Sequence, residues 1–206
     1  MLSAGFSVIV PATWWEIPLD DERRMRRSVE TLVDRQFRGT DNQPILRRQL
    51  ADEMRGVATA AQADGGLRLW LSTEVIDGVA LGASLVARRL FLPVPGAGES
   101  PLAAARASLA QLGGELGVLQ TRAGQALTRR RLVTRGREAF GARTASLAAS
   151  RAEGVGDQTQ FEAWLPTGEA GEWLVLVFST PYQSELADAL VELFAAVAGS
   201  AEWLAA

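Results

Sequence analysis

The stretch LRLWLSTEVI (67–76), Asp77-Gly78, VALGASLVARRLFL (79–92) decides how this chain reads. Two apolar runs flank a two-residue Asp-Gly turn, whose backbone twist matches that of the strands it joins. A turn there pairs Ile76 with Val79, and the register follows. Leu69 then stands opposite Val86, and Trp70 opposite Leu85 on the other face. Both faces are apolar, so the hairpin belongs in the middle of a sheet covered on both sides.

Downstream, PVPGAG (93–98) reads as a loop. Ser100-Pro101 opens a short helix with Leu102, Ala105, Leu109 and Leu112 on one stripe, stopped by Gly113-Gly114. Strands are expected near 116–121, 125–135, 142–149, 159–165 and 172–179. The last, EWLVLVFS, is the most apolar and therefore the most central. Thr180 then reads as the cap of a final helix, with Pro181 its first residue and Gln183 completing a capping box. Its expected stripe is Leu186, Ala189, Leu190, Leu193, Phe194 and Val197. Gly199 ends it, and Trp203 folds back.

Upstream, Gly5 to Val10 reads as a strand stopped by Pro11. Pro11 to Pro18 reads as irregular. Trp14 and Trp15 within it cannot face the same way in an extended chain, so one plugs the core and the other covers its edge. Asp20, Asp21 and Glu22 are placed for the positive end of a helix dipole. Met25, Val29, Leu32, Val33 and Phe37 follow at helical spacing, and Gly39 closes the element. A second helix is expected from Asn42, with Leu46, Leu50, Met54, Val57 and Ala61 along one stripe and Gly65-Gly66 at its end. The expectation is one α+β domain over 1–206, a largely antiparallel sheet covered by helices as an α/β/α sandwich.

The chain has no histidine, cysteine or lysine, and all 21 basic residues are arginine. That excludes disulfides, zinc–thiolate sites, Schiff bases and serine–histidine or serine–lysine catalysis. The remaining enzymatic possibility is chemistry with arginine and carboxylates. A net charge of −3 argues against general nucleic-acid binding, which needs surplus positive charge. No run of about 20 uncharged apolar residues exists, so no membrane insertion is expected. Met1 to Val10 lacks a basic n-region, and cytoplasm is the expected compartment. Arginine without lysine, beside abundant alanine and glycine, suggests a GC-rich bacterial genome.

Phe6-Ser-Val-Ile-Val-Pro-Ala-Thr-Trp14 and the closing strand and helix, Phe194 to Trp203, resemble the PsbP-like superfamily of α/β/α sandwiches. There is no lipobox cysteine, and the helical pair at 20–63 is long for that group. The superfamily has no shared active site, so the resemblance implies a binding or assembly role rather than a reaction.

Thr128-Arg129-Arg130-Arg131, with Arg135 and Arg137, is the sharpest charge feature. Guanidinium forks suit an anion or phosphate clamp. Extended geometry puts Arg129 and Arg131 on one face and Arg130 on the other. Charge runs are generally solvated faces, and this one reads first as an exposed strand. Asp20-Asp21-Glu22 offers oxygen ligands for a hard cation, but helix-start acids explain it, so no metal site is assigned. Neither cofactor nor catalytic residue is assigned. Among the tryptophans, Trp15 is the one expected to be exposed, as an interface anchor. The leading expectation is a non-catalytic protein-binding or accessory domain with a protein partner or as a homodimer. The alternative is a small-ligand or anion binder, or an enzyme, using Arg129, Arg131 and Arg135. A buried cleft holding Arg129, Arg131 and an acid would favour the alternative.

Overall fold

A computed structural model describes residues 5–38, 43–76, 79–93, 100–133 and 157–204. The Asp77-Gly78 turn, the expected strand at 142–149, Gly39, Asn42, Arg135 and Arg137 lie outside the described residues.

In chain order the elements are β1 (Phe6–Ser7), β2 (Trp14–Pro18), α1 (Glu22–Gln36), α2 (Pro44–Ala63), β3 (Gly66–Ser72), β4 (Val75–Ile76), β5 (Val79–Ala80) and β6 (Ser84–Phe91). There follow α3 (Pro101–Gln111), β7 (Glu115–Thr121), β8 (Gly124–Val133), β9 (Gln158–Pro166), β10 (Glu172–Thr180), α4 (Ser184–Gly199) and β11 (Glu202–Trp203).

The hairpin has the register read from its turn. Leu69 pairs with Val86, Trp70 with Leu85, and Ile76 with Val79. Between the two ladders, Ser72 N–H donates to Ala83 O at 2.8 Å and Leu81 N–H to Glu74 O at 3.1 Å, which carries the register across the gap. The hairpin belongs to a seven-stranded sheet in the order β2-β3-β6-β10-β9-β8-β7. Every pairing in it is antiparallel. Strand β10 is fourth of the seven, so the most apolar strand is the central one. This is the α+β architecture expected, an antiparallel sheet with helices packed on it.

Register sorts the side chains between two faces. Trp70, Leu85, Phe161 and Phe178 point one way and pack under Leu190, Phe194, Val197 and Ala198 of α4. Phe178 stacks on Phe194 with ring centroids 4.9 Å apart, an arrangement worth about 0.5–1.5 kcal/mol beyond the area it buries. On the other face Ile17, Leu69, Leu71 and Val86 pack under α1 and α2. Leu127, Trp164, Val175 and Val177 on that face pack under α3.

Four expectations need correction. Trp14–Pro18 is not irregular but an edge strand paired with β3. Its proline sits where an edge tolerates a missing donor. The expected first strand shrinks to Phe6–Ser7, which pairs with Glu202–Trp203. Thr180 does not cap the last helix. It pairs with Thr159 as the end of β10, and its hydroxyl accepts from Tyr182 N–H at 3.4 Å. Strand pairing outcompetes the capping box, and α4 starts at Ser184. Finally, Leu46, Leu112 and Leu186 are exposed. On α4 the buried stripe is Ala187, Leu190, Phe194, Val197 and Ala198, one step round from the expected one.

Candidate functional site

Ile17, Leu69, Val86, Val177, Glu162, Arg129 and Leu116 form a single row across all seven strands. The row is apolar from β2 to β10 and then turns charged on β9 and β8. Arg129 and Glu162 are direct cross-strand neighbours on the helix-covered face, with side chains 4% and 1% exposed. Arg129 Nε donates to Glu162 Oε2 at 3.0 Å and Nη2 to Oε1 at 2.8 Å. Trp164 Nε1 donates to Oε2 at 2.9 Å. Arg131 Nη2 lies 3.4 Å from Oε1, while its Nε donates to Gln160 Oε1 at 2.9 Å. One buried carboxylate thus accepts from two side chains and pairs with the charge of a third. That arrangement offsets the several kcal/mol it costs to dehydrate each ion.

The reading of this strand as a solvated face is therefore corrected for Arg129 and Arg131. Alternation put both on one face, as expected, but α3 and its neighbours cover that face. Arg130 points to the α4 face and pairs with Asp188. Gly114 permits the tight approach of the incoming chain: a Cβ there would meet Arg130 O at 2.7 Å and Arg129 Cγ at 3.2 Å.

Arg88 on β6 completes the cluster and was not singled out from the sequence. Burial pushes its guanidinium pKa down, while Glu162 and then Asp64 push it up and Arg131 and Arg129 oppose them. Arg88 Nε and Arg129 Nη1 are buried and meet no acceptor among the described residues. The signal was present in Arg88-Arg89, two charges inside an otherwise apolar strand. Consecutive strand residues face opposite ways. Arg89 accordingly pairs elsewhere, with Glu172 at 3.1 Å.

Trp15 shares a row with Leu71, Ser84, Ser179, Gln160 and Arg131. Five strand spacings separate it from Arg131, roughly 24 Å, so the structure does not bring these candidates together. Trp15 is half-buried. Its Nε1 donates to Ser28 Oγ at 2.9 Å, and the Arg35 guanidinium lies 5.8 Å from its ring centroid. It pins α1 to β2. The acids at 20–22 are also engaged. Asp21 caps α1 by accepting from Arg24 N–H at 2.9 Å, Asp20 pairs with Arg24, and Glu22 with Arg26. Among the described residues no group of three or more acids is placed to hold a metal ion.

Among the described residues the surface is indented by clefts at two places. One of about 360 Å³ lies between the end of α1 and the start of α2, around Phe37, Pro44 and Arg47. The other, of about 530 Å³, lies between α3 and the β9–β10 turn, around Pro101, Ala105 and Trp173. Neither is lined by Arg88, Arg129, Arg131 or Glu162.

The two sheet edges differ. β2 is short, ends in Pro18, and has its Glu16 carbonyl taken by the Ser28 hydroxyl at 2.7 Å. Such features blunt an edge. β7 (ELGVLQT) is seven residues long, with no proline, no bulge in its ladder and no charge after Glu115. Among the described residues no strand pairs with its outer edge, and just past its end Arg122 N–H donates to Gly199 O at 3.1 Å. Val118 on it is 49% exposed, and Leu112, just before it, is 63% exposed. Sequence reading identified this strand but could not tell that it would be terminal in the sheet. Among the described residues no helix is long and apolar enough to cross a membrane.

No family model matches this chain, and no curated protein matches it either.

Proposed function

We propose that this chain is a non-catalytic binding domain that associates with protein through the open edge of its sheet. The observation that carries the reading is β7, a seven-residue edge with no strand beyond it among the described residues and with Val118 exposed on it. An open edge presents unpaired N–H and C=O groups, which an added strand satisfies by β-augmentation. The internal use of the arginine fork supports the same reading. The guanidinium groups of Arg129 and Arg131, the alternative anion clamp, already grip Glu162. The resemblance of the chain ends to the PsbP-like superfamily points the same way, toward binding or assembly.

The test is capture from native lysate with wild type and Val118→Lys as paired baits. A lysine on an edge discourages strand addition. A protein held by wild type and lost by the folded variant is the expected result. Identical captures from both baits would refute an edge-based function.

A second reading, an oxyanion bound beside Arg88 and Arg129, has one observation in its favour: their two buried donors, which meet no acceptor among the described residues. Sulfate or phosphate would then raise the melting temperature of wild type more than that of Arg88→Gln. Equal responses remove this reading.

A further inference from the structure

We propose that the occupant of the β7 edge is a second copy of this chain, bound antiparallel across a two-fold axis at Val118. The inference rests on the edge reading above and goes beyond it by naming the partner and the register.

Charge placement argues for self-pairing. Glu115 begins the strand, and Arg122 follows its last residue. Both side chains are exposed, and among the described residues Arg122 has a loose partner, Glu202 at 4.0 Å. In an antiparallel copy each Glu115 stands opposite Thr121, the residue before Arg122, so that the acidic start of one strand lies at the basic end of the other, twice by symmetry. A parallel copy would set Glu115 against Glu115. Between these ends the strand carries no charge, so nothing along Leu116–Thr121 repels its own image. A two-fold axis at Val118 sets Val118 against Val118, Leu116 against Gln120, and Glu115 against Thr121. Such an isologous contact closes on itself and leaves no further edge of this kind exposed.

Side-chain placement agrees. Val118 shares a row with Leu127 and Trp164, which places it on the face covered by α3. Leu112, which caps the end of α3, is exposed next to the start of β7. Pairing on Val118 removes an apolar side chain from water in both copies at once. An edge strand alone falls short of the roughly 800 Å² per partner of a standard stable interface. The dimer therefore forms in the micromolar-to-millimolar range and dissociates on dilution.

Sedimentation equilibrium of the full chain over that range tests the inference. Wild type should move from monomer towards dimer as concentration rises. Glu115→Arg and Arg122→Glu should each weaken dimerisation at least tenfold by placing like charges together. The double variant, Glu115→Arg with Arg122→Glu, should restore it. Because the chain has no cysteine, Val118→Cys introduces a single thiol. It should cross-link into covalent dimers, and Glu53→Cys on the exposed side of α2 should not. A wild type that stays monomeric to millimolar concentration overturns the proposal. So does a dimer indifferent to both charge reversals, or one that Glu53→Cys traps equally well. If the chain is monomeric and its edge still holds a protein that Val118→Lys loses, the dimer fails and the edge function stands. If neither forms, both fail.

Discussion

Replacing Arg129 with methionine tests how the charged end of the sheet is held. The Arg129 and Glu162 side chains are 4% and 1% exposed, so water cannot replace a lost partner. Removing one member of a buried ion pair typically costs about 3–5 kcal/mol. Arg129→Met leaves Glu162 with Trp164 Nε1 at 2.9 Å and Arg131 Nη2 at 3.4 Å, so its cost belongs near the lower end, about 3 kcal/mol. Glu162→Leu is worse. It strands the Arg129 cation and removes the acceptor of the Trp164 indole, which adds about 1–3 kcal/mol for a buried unsatisfied donor. The double variant, Arg129→Met with Glu162→Leu, removes both charges and should lose well less stability than the sum of the single losses. For a chain of this size 1 kcal/mol corresponds to about 2–4 °C, so Arg129→Met should lower the melting temperature by roughly 6–12 °C. Urea unfolding followed by tryptophan fluorescence and by far-ultraviolet circular dichroism gives the free energies and closes the double-mutant cycle. A loss under about 1 kcal/mol for Arg129→Met would place the pair in water and refute the buried arrangement.

Three further outcomes are expected. Leu190→Ala should cost about 2–5 kcal/mol, because that side chain is 4% exposed beneath the sheet face, while Leu186→Ala at 40% exposed should cost far less; equal losses in urea unfolding would mean that α4 is rotated from the orientation described. Trp15→Phe keeps the ring but loses the hydrogen bond to Ser28 Oγ, a loss of about 0.5–1.5 kcal/mol, and an unchanged urea midpoint would contradict the pinning role. The hydrogen bond from Arg24 N–H, opposed by desolvation and aided by Arg23, holds the Asp21 carboxyl below its ordinary value of 3.8. A carboxyl lowered by folding contributes stability above its unfolded value, and that contribution is lost as pH falls through the folded value. Asp21→Asn retains the cap without the charge, so urea midpoints measured near neutrality and again below pH 3.8 should fall less in the variant than in wild type. Parallel declines would show that the cap does not titrate.

Local chemistry made much of the fold readable before any coordinates. A two-residue turn determines which residues face each other, so the pairs Leu69–Val86 and Trp70–Leu85 followed from Asp77-Gly78 alone. The centrality of β10 followed from its unbroken apolar run, because only a strand covered on both faces tolerates one. Misreadings clustered where two local signals compete. Thr180 carries the pattern of a helix cap, but its backbone is already committed to Thr159. Trp14–Pro18 is bracketed by prolines, and only the neighbouring β3 makes it a strand.

The candidate site divides along the same line. Strand alternation put Arg129 and Arg131 on one face and Arg130 on the other, which needs no knowledge of the fold. Whether that face meets water or protein is settled by what packs on it, and those partners lie far away in sequence. Glu162 follows Arg129 by 33 residues, and Arg88 precedes it on a strand three places across the sheet. No local pattern links them. The identity of the sheet's open edge is equally non-local. ELGVLQT reads as a strand anywhere, and only the order β2-β3-β6-β10-β9-β8-β7 places it last. The sequence by itself determined the hairpin register, most of the elements and which strand residues share a face, because these depend on the chain within a few residues. The tertiary structure alone decided which charges are buried against each other and which strand is left open, because both depend on the order in which distant strands come together.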